Sequence, residues 1–162
     1  MNMTKMPNLF MLVGMPASGK STWAKDAVQN GSDIVILSTD NYIEVEAANL
    51  GKTYNDIFEE YIGYANNILS IALQKALRER KNVIWDQTNL SASSRKKKLA
   101  QIPDDYHKVA VVFEYDKYFP ELWKERLGSR PGKSIPQDVL DKMQKSFEFP
   151  TVSEGFDEIW EV

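Results

Sequence analysis

Between Gly14 and Ser21 the chain reads Gly-Met-Pro-Ala-Ser-Gly-Lys-Ser, a full match to G-x-x-x-x-G-K-[ST]. No other feature narrows the possible folds as much. The glycines let the backbone curl so that successive N–H groups turn inward toward phosphate oxygens. A helix following the loop presents its positive N-terminal end to the same anion. Such a loop needs a buried strand before it and a helix after it, and both are predicted. Leu9-Phe10-Met11-Leu12-Val13 is a continuous apolar run, as a strand buried on both faces requires, and Ser21 to about Asn30 reads as a helix stopped by Asn30-Gly31. Gly14, Met15, Pro16, Ala17, Ser18, Gly19, Lys20, Ser21 and Thr22 are therefore the expected phosphate-binding residues. Lys20 reaches the β- and γ-phosphates of ATP, and the Ser21 hydroxyl ligates Mg²⁺. The pattern implies nucleoside triphosphate binding and leaves the fate of the phosphate open.

Strands and helices alternate along the rest of the chain. Ile34–Leu37, Val83–Trp85 and Val109–Tyr115 are further predicted buried strands, with Phe156–Val162 a weaker one. A short helix is predicted from the end of the second strand to Asn49, stopped by Gly51. From Tyr54 to Arg80 apolar residues recur at three- and four-residue steps, which predicts a helix with a potential break near Gly63. Ser91 is placed to cap a basic helix that ends near Gln101, and helices are expected at about Phe119–Leu127 and Gln137–Phe147. This order implies an α/β fold with a doubly wound, mostly parallel sheet, in which ligands bind at the carboxyl ends of the strands.

The polar residues after each apolar run are thus the candidates for chemistry. Asp40 follows the second strand. It is placed either to take the proton of an attacking hydroxyl or to cap the helix it opens. Asp86, Thr88 and Asn89 follow the third strand. Asp86 suits a carboxylate acting on Mg²⁺ through water, while Thr88 and Asn89 suit a substrate or nucleotide phosphate; the same residues also favour a plain turn. Within Arg95-Lys96-Lys97-Lys98, Arg95 lies close enough to the strand end to reach a phosphate, whereas the lysines read as a solvated face or weak polyanion surface. Arg126, Arg130 and Lys133 surround Gly128 and Pro131-Gly132, the composition of a flap closing over ATP or of a solvated loop.

Composition limits the alternatives. A chain of 162 residues with 43% hydrophobic and 27% charged residues fits one soluble globular domain. Twenty Lys+Arg against 23 Asp+Glu give a net charge of −3, which argues against a generally basic nucleic-acid coat protein but permits a local basic groove. The absence of cysteine excludes disulfides and thiolate chemistry and suits a reducing, cytoplasmic setting. With a single histidine, His107, a zinc site is disfavoured too. The apolar run Leu9–Val13 is too short for a membrane span.

Four segments together, Gly14–Trp23, Ser38–Tyr42, Asp86–Leu90 with Arg95, and Arg130–Leu140, resemble the P-loop polynucleotide 5′-hydroxyl kinases of the phage type. Asp86–Leu90 and Phe147–Pro150 are also similar to the kinase-like domain of heterogeneous nuclear ribonucleoprotein U. The resemblance implies a P-loop NTPase of the nucleotide-kinase type with a short arginine-bearing lid. Lys20 and Ser21 would hold ATP·Mg²⁺, Asp40 would be the general base, Thr88 and Asn89 would line the phosphate site, and Arg130 would be the lid arginine. The implied partner is a polynucleotide 5′-hydroxyl end. Two departures stand out. The family's arginine three residues after the catalytic aspartate, which grips the acceptor's 3′-phosphate, is Ile43 here, followed by Glu44. The aspartate often found directly before the Thr-Asn pair is Gln87. A small-molecule kinase and a non-catalytic ATP-binding module that tethers nucleic acid are the competing expectations.

Overall fold

The computed structural model describes residues 6–31 and 33–162. Five parallel strands form one sheet in the order β2-β3-β1-β4-β5. They are β1 (Asn8–Gly14), β2 (Ile34–Leu37), β3 (Asn82–Trp85), β4 (His107–Phe113) and β5 (Glu158–Glu161). The central strand β1 pairs with β3 on one side and β4 on the other, so the order reverses beside it. That reversal opens a crevice at its carboxyl end, where the Gly14–Ser21 loop emerges.

Helices cover both faces. Leu9, Met11, Val83, Trp85 and Ala110 pack against Leu69, Leu73 and Ala76 of α3 (Tyr54–Arg78) and Leu99 of α4 (Ala92–Leu99). The opposite face, with Leu12, Ile84, Val111 and Phe113, packs on Ala24 and Trp23 of α1 (Lys20–Gln29). A smaller cluster of Met15, Leu90, Trp123 and Leu140 seats α6 (Pro120–Gly128) and α7 (Gln137–Ser146) over the phosphate loop. The doubly wound parallel fold expected from the alternation is the fold observed. No helix among the described residues is long and apolar enough to cross a membrane.

Two local expectations need correction. α3 runs 25 residues without a break at Gly63. A mid-helix glycine costs only about 1 kcal/mol, and the buried stripe Ile57, Ala65, Leu69, Leu73 and Ala76 holds the helix on either side. The fourth strand ends at Phe113, because Tyr115 opens the short helix α5 (Tyr115–Tyr118). His107 starts β4, and its Nε2 lies 2.6 Å from Glu158 Oε2.

α2 (Thr39–Leu50) ends at Gly51 and turns back onto α3. Ile43, Ala47, Ile57 and Ala65 fill the seam between the two helices, and Ile43 is completely buried. The position expected to face an acceptor phosphate therefore faces the core. An arginine at this position would meet apolar side chains, not a ligand. Ile43→Arg is expected to cost about 3–5 kcal/mol of stability and Ile43→Val about 1 kcal/mol. Urea unfolding checks both, and an Ile43→Arg variant as stable as the parent would remove Ile43 from the core.

Candidate active site

The loop after β1 closes around its own lysine. Lys20 Nζ donates to the carbonyls of Gly14 (2.9 Å) and Met15 (2.8 Å), and the side chain is buried. Gly14 itself is required by crowding, since a Cβ there would lie 2.8 Å from Phe113 O and 2.9 Å from Ser18 Oγ. Ala17 (φ 60) and Gly19 (φ 100) both lie in the left-handed region, which curls the loop into the concave shape that gathers N–H groups. Gly14 N–H donates to Thr88 O (3.0 Å), tying the loop to the turn after β3.

Two neighbouring strands deliver carboxylates to this loop. Asp86, at the end of β3, accepts from Ser21 Oγ (3.0 Å) and is buried, and that burial raises its pKa against the pull of Lys20 and Ser21. Asp40 lies in the first turn of α2. The helix cap is Ser38, whose Oγ accepts from Asn41 N–H (3.2 Å), so capping does not account for Asp40. Its Oδ1 accepts from the Tyr54 hydroxyl (2.7 Å), and its Oδ2 is 3.1 Å from Lys133 Nζ. Lys133 also meets Glu44 Oε1 at 2.9 Å and lies 4.5 Å from the centre of the Tyr54 ring. Burial and the adjacent Asp40 carboxylate raise the Tyr54 pKa, so the phenol stays a donor.

The segment between α6 and α7 lies closed over the crevice. Trp123 Nε1 donates to Pro16 O (2.8 Å), which anchors the start of the lid to the phosphate loop. At its tip, Asn55 N–H donates to Gly132 O (3.0 Å), and the Asn55 side chain donates to Ser134 Oγ (2.9 Å). Gly132 (φ 66) packs so tightly that a Cβ would lie 2.5 Å from Thr53 Cβ. The result is a cleft of about 500 Å³ bounded by the phosphate loop, Asp40, Asp86, Thr88, Arg126 and Arg130. Arg126 also stacks on the Tyr115 ring at 4.1 Å.

Two of the expected site residues are elsewhere. Arg95 is 0% exposed; its Nε and Nη2 meet Glu154 at 2.8 and 3.2 Å, and its Nη1 donates to the carbonyls of Asn89 and Leu90. Each of its three guanidinium nitrogens is bonded within the protein and the side chain is out of reach of the cleft, so it does not serve as a phosphate ligand. Asn89 (φ 47) is buried, and its amide donates to Leu12 O (2.7 Å). It staples the turn to β1 in place of lining the cleft. Tyr54, which its apolar periodicity marks as a packing residue, also belongs to the site. Its contact with Asp40 exists only because α2 folds back on α3, and no sequence signal points to it.

The cleft fits an anion and its counter-ion. Ser18 Oγ and the Nε and Nη2 of Arg130 are buried without partners. Buried donors without partners are costly, and phosphate oxygens would satisfy these. Ser21 and Asp86 would hold Mg²⁺ together with the phosphates. Among the described residues no cluster of three acidic or histidine side chains could hold a metal unaided.

An AAA domain family model matches residues 9–150. The chain belongs to that family. Over 163 residues it is 29% identical to heterogeneous nuclear ribonucleoprotein U-like protein 2 of Homo sapiens, covering 93% of this chain and 21% of that protein. Over 153 residues it is 28% identical to the L-seryl-tRNA(Sec) kinase of Methanococcus maripaludis, covering 92% of this chain and 56% of that one. The chain thus spans only part of the curated relatives it matches. Among solved structures, the Pnkp1/Rnl/Hen1 RNA repair complex superposes with a TM-score of 0.68 at 24% identity, over 96% of this chain and 48% of that one. These likenesses agree with the resemblance carried by the motifs and establish a kinase-like P-loop fold.

The burial of Lys20 lowers its pKa to about 8, partly offset by Asp86 and Asp40. A bound triphosphate restores the charged form. Nucleotide binding is therefore expected to take up a proton at about pH 9 and none near neutrality, with affinity falling as pH rises above the lowered pKa. Calorimetry in buffers of different ionisation enthalpy reads this directly. Zero uptake at the alkaline pH would mean that the free ammonium is not destabilised by its burial.

Proposed function

We propose that this chain is an ATP- and Mg²⁺-dependent phosphotransferase that moves the γ-phosphate to a hydroxyl, the 5′-hydroxyl of a polynucleotide. The observation that carries the reading is the convergence of Asp40, Lys20 and the unpaired Arg130 guanidinium on one lidded cleft. ATP would supply the phosphoryl group, and Mg²⁺, held by Ser21 and Asp86, would offset the charge of its phosphates. Asp40 accepts the proton as the acceptor oxygen forms its bond to the γ-phosphorus and the bond to ADP breaks. Lys20 and Arg130 stabilise negative charge spreading over the transferring group. The half-exposed Asp40 carboxylate accepts once on each oxygen, from Tyr54 and from Lys133, which leaves a lone pair on each for the acceptor hydroxyl.

The motif resemblance and the likeness to an RNA repair complex support the polynucleotide acceptor. One observation favours a small molecule instead. The acceptor side beside Asp40 is a pocket of about 250 Å³ with an apolar wall of Tyr54, Phe58, Ile62 and Met143, and its cations, Arg130 and Lys133, come from the lid and not from the α2 position where an acceptor 3′-phosphate would be gripped.

Transfer of labelled γ-phosphate to 5′-hydroxyl oligonucleotides and to nucleosides separates the two. Asp40→Asn is expected to lower turnover roughly a hundredfold or more while ATP affinity stays nearly unchanged. A folded Asp40→Asn variant turning over at the parent rate would exclude Asp40 as the base.

A further inference from the structure

Gln87 stands between two depressions. On one side it lines the acceptor pocket with Asp40 and Tyr54; on the other it lines a groove of about 440 Å³ between α3 and α4. Its side chain is held in place: Oε1 accepts from Trp85 Nε1 (3.0 Å), and Nε2 donates to Thr39 Oγ1 (3.1 Å). The wall of both depressions is one stripe of α3. Phe58 and Ile62 face the acceptor pocket, and Asn66 and Leu69 face the groove, a run of about 16 Å along the helix.

The opposite wall is α4, which contributes Ser93, Ser94, Lys97 and Lys98. The groove has no carboxylate in its lining, although the chain as a whole carries a net charge of −3. Lys98 is positioned rather than free. Its Nζ donates to Asn89 Oδ1 and lies 5.4 Å from the centre of the Trp85 ring. Lys97 is exposed at the rim. A fixed cation, an exposed cation and neutral donors in one groove are what a single-stranded phosphate backbone requires.

We infer that the α3–α4 groove carries the nucleotides 3′ of the accepting end, with Gln87 as the saddle the strand crosses on leaving Asp40. This rests on the polynucleotide reading above. It also explains how a strand could be gripped although Ile43 is buried: phosphate contacts fall beyond the acceptor nucleotide instead of on α2. Backbone phosphates are shared by DNA and RNA, so both are used as probes.

The test compares a long 5′-hydroxyl oligonucleotide with a 5′-hydroxyl dinucleotide, as DNA and as RNA. Lys97→Glu and, independently from the other wall, Asn66→Glu should each raise KM for the long strand roughly tenfold. Neither should change KM for the dinucleotide or for ATP. Lys97→Gln should lower the slope of log affinity against log salt by about one. If the parent phosphorylates long strands and both charge variants leave that KM unchanged, the groove is not the strand path, and the proposed activity stands. If the parent phosphorylates no oligonucleotide of either kind, the polynucleotide reading falls and the inference with it.

Discussion

The ammonium of Lys20, buried and held by two carbonyls of its own loop, is the interaction on which the rest of this molecule depends. A cation in that position is unfavourable without anions around it. The fold answers by bringing Asp86 from β3 and Asp40 from α2 to the same crevice, and both favour the charged lysine. In sequence, Asp40 lies 20 residues from Lys20 and Asp86 lies 66. Only the parallel sheet, with β2 and β3 on the same side of β1, places them there. The reversal of strand order at β1 is thus an electrostatic device as well as a topological one.

Around this centre lies a set of buried polar contacts that hold the loops. Arg95 clamps Glu154 to the turn after β3, Asn89 ties that turn to β1, and Trp123 ties the lid to Pro16. Each group is buried and bonded, as buried polar groups must be. Their role is to hold Thr88, Asp86 and the phosphate loop in register. The lid is docked by a different set of contacts, Asn55 with Gly132 and Ser134 and Lys133 with Asp40 and Glu44, most of them partly exposed. Exposed pairs are individually weak, so the lid contacts are the ones that exchange at low cost when a substrate enters.

How legible this was from sequence depended on the range of the interactions involved. β1, the phosphate loop and α1 follow from a contiguous motif and a buried apolar run, and their bounds agree with expectation to within a residue or so. That Asp40 and Asp86 line the cleft is legible because parallel sheets bring the residues after their strands to one end. Arg95 and Asn89 were placed at the site by nearness in sequence to Asp86, but their side chains turn toward Glu154 and Leu12, 59 and 77 residues away. Ile43 illustrates the same limit. Position alone puts it beside Asp40, whereas helical rotation sends it into the α2–α3 seam and leaves Glu44 facing the cleft. Tyr54 was read as packing because its apolar periodicity conceals the hydroxyl that reaches Asp40.

The central claim is that the β1 loop is a triphosphate site whose buried lysine is completed by the ligand. Calorimetric titration of ATP with Mg²⁺ into the parent chain and into Lys20→Ala tests it most directly, alongside thermal unfolding of both. The account predicts saturable binding to the parent, affinity for Lys20→Ala weaker by roughly a hundredfold, and a variant that remains folded, since it sheds a desolvated charge. A folded Lys20→Ala chain that binds ATP as tightly as the parent would contradict it.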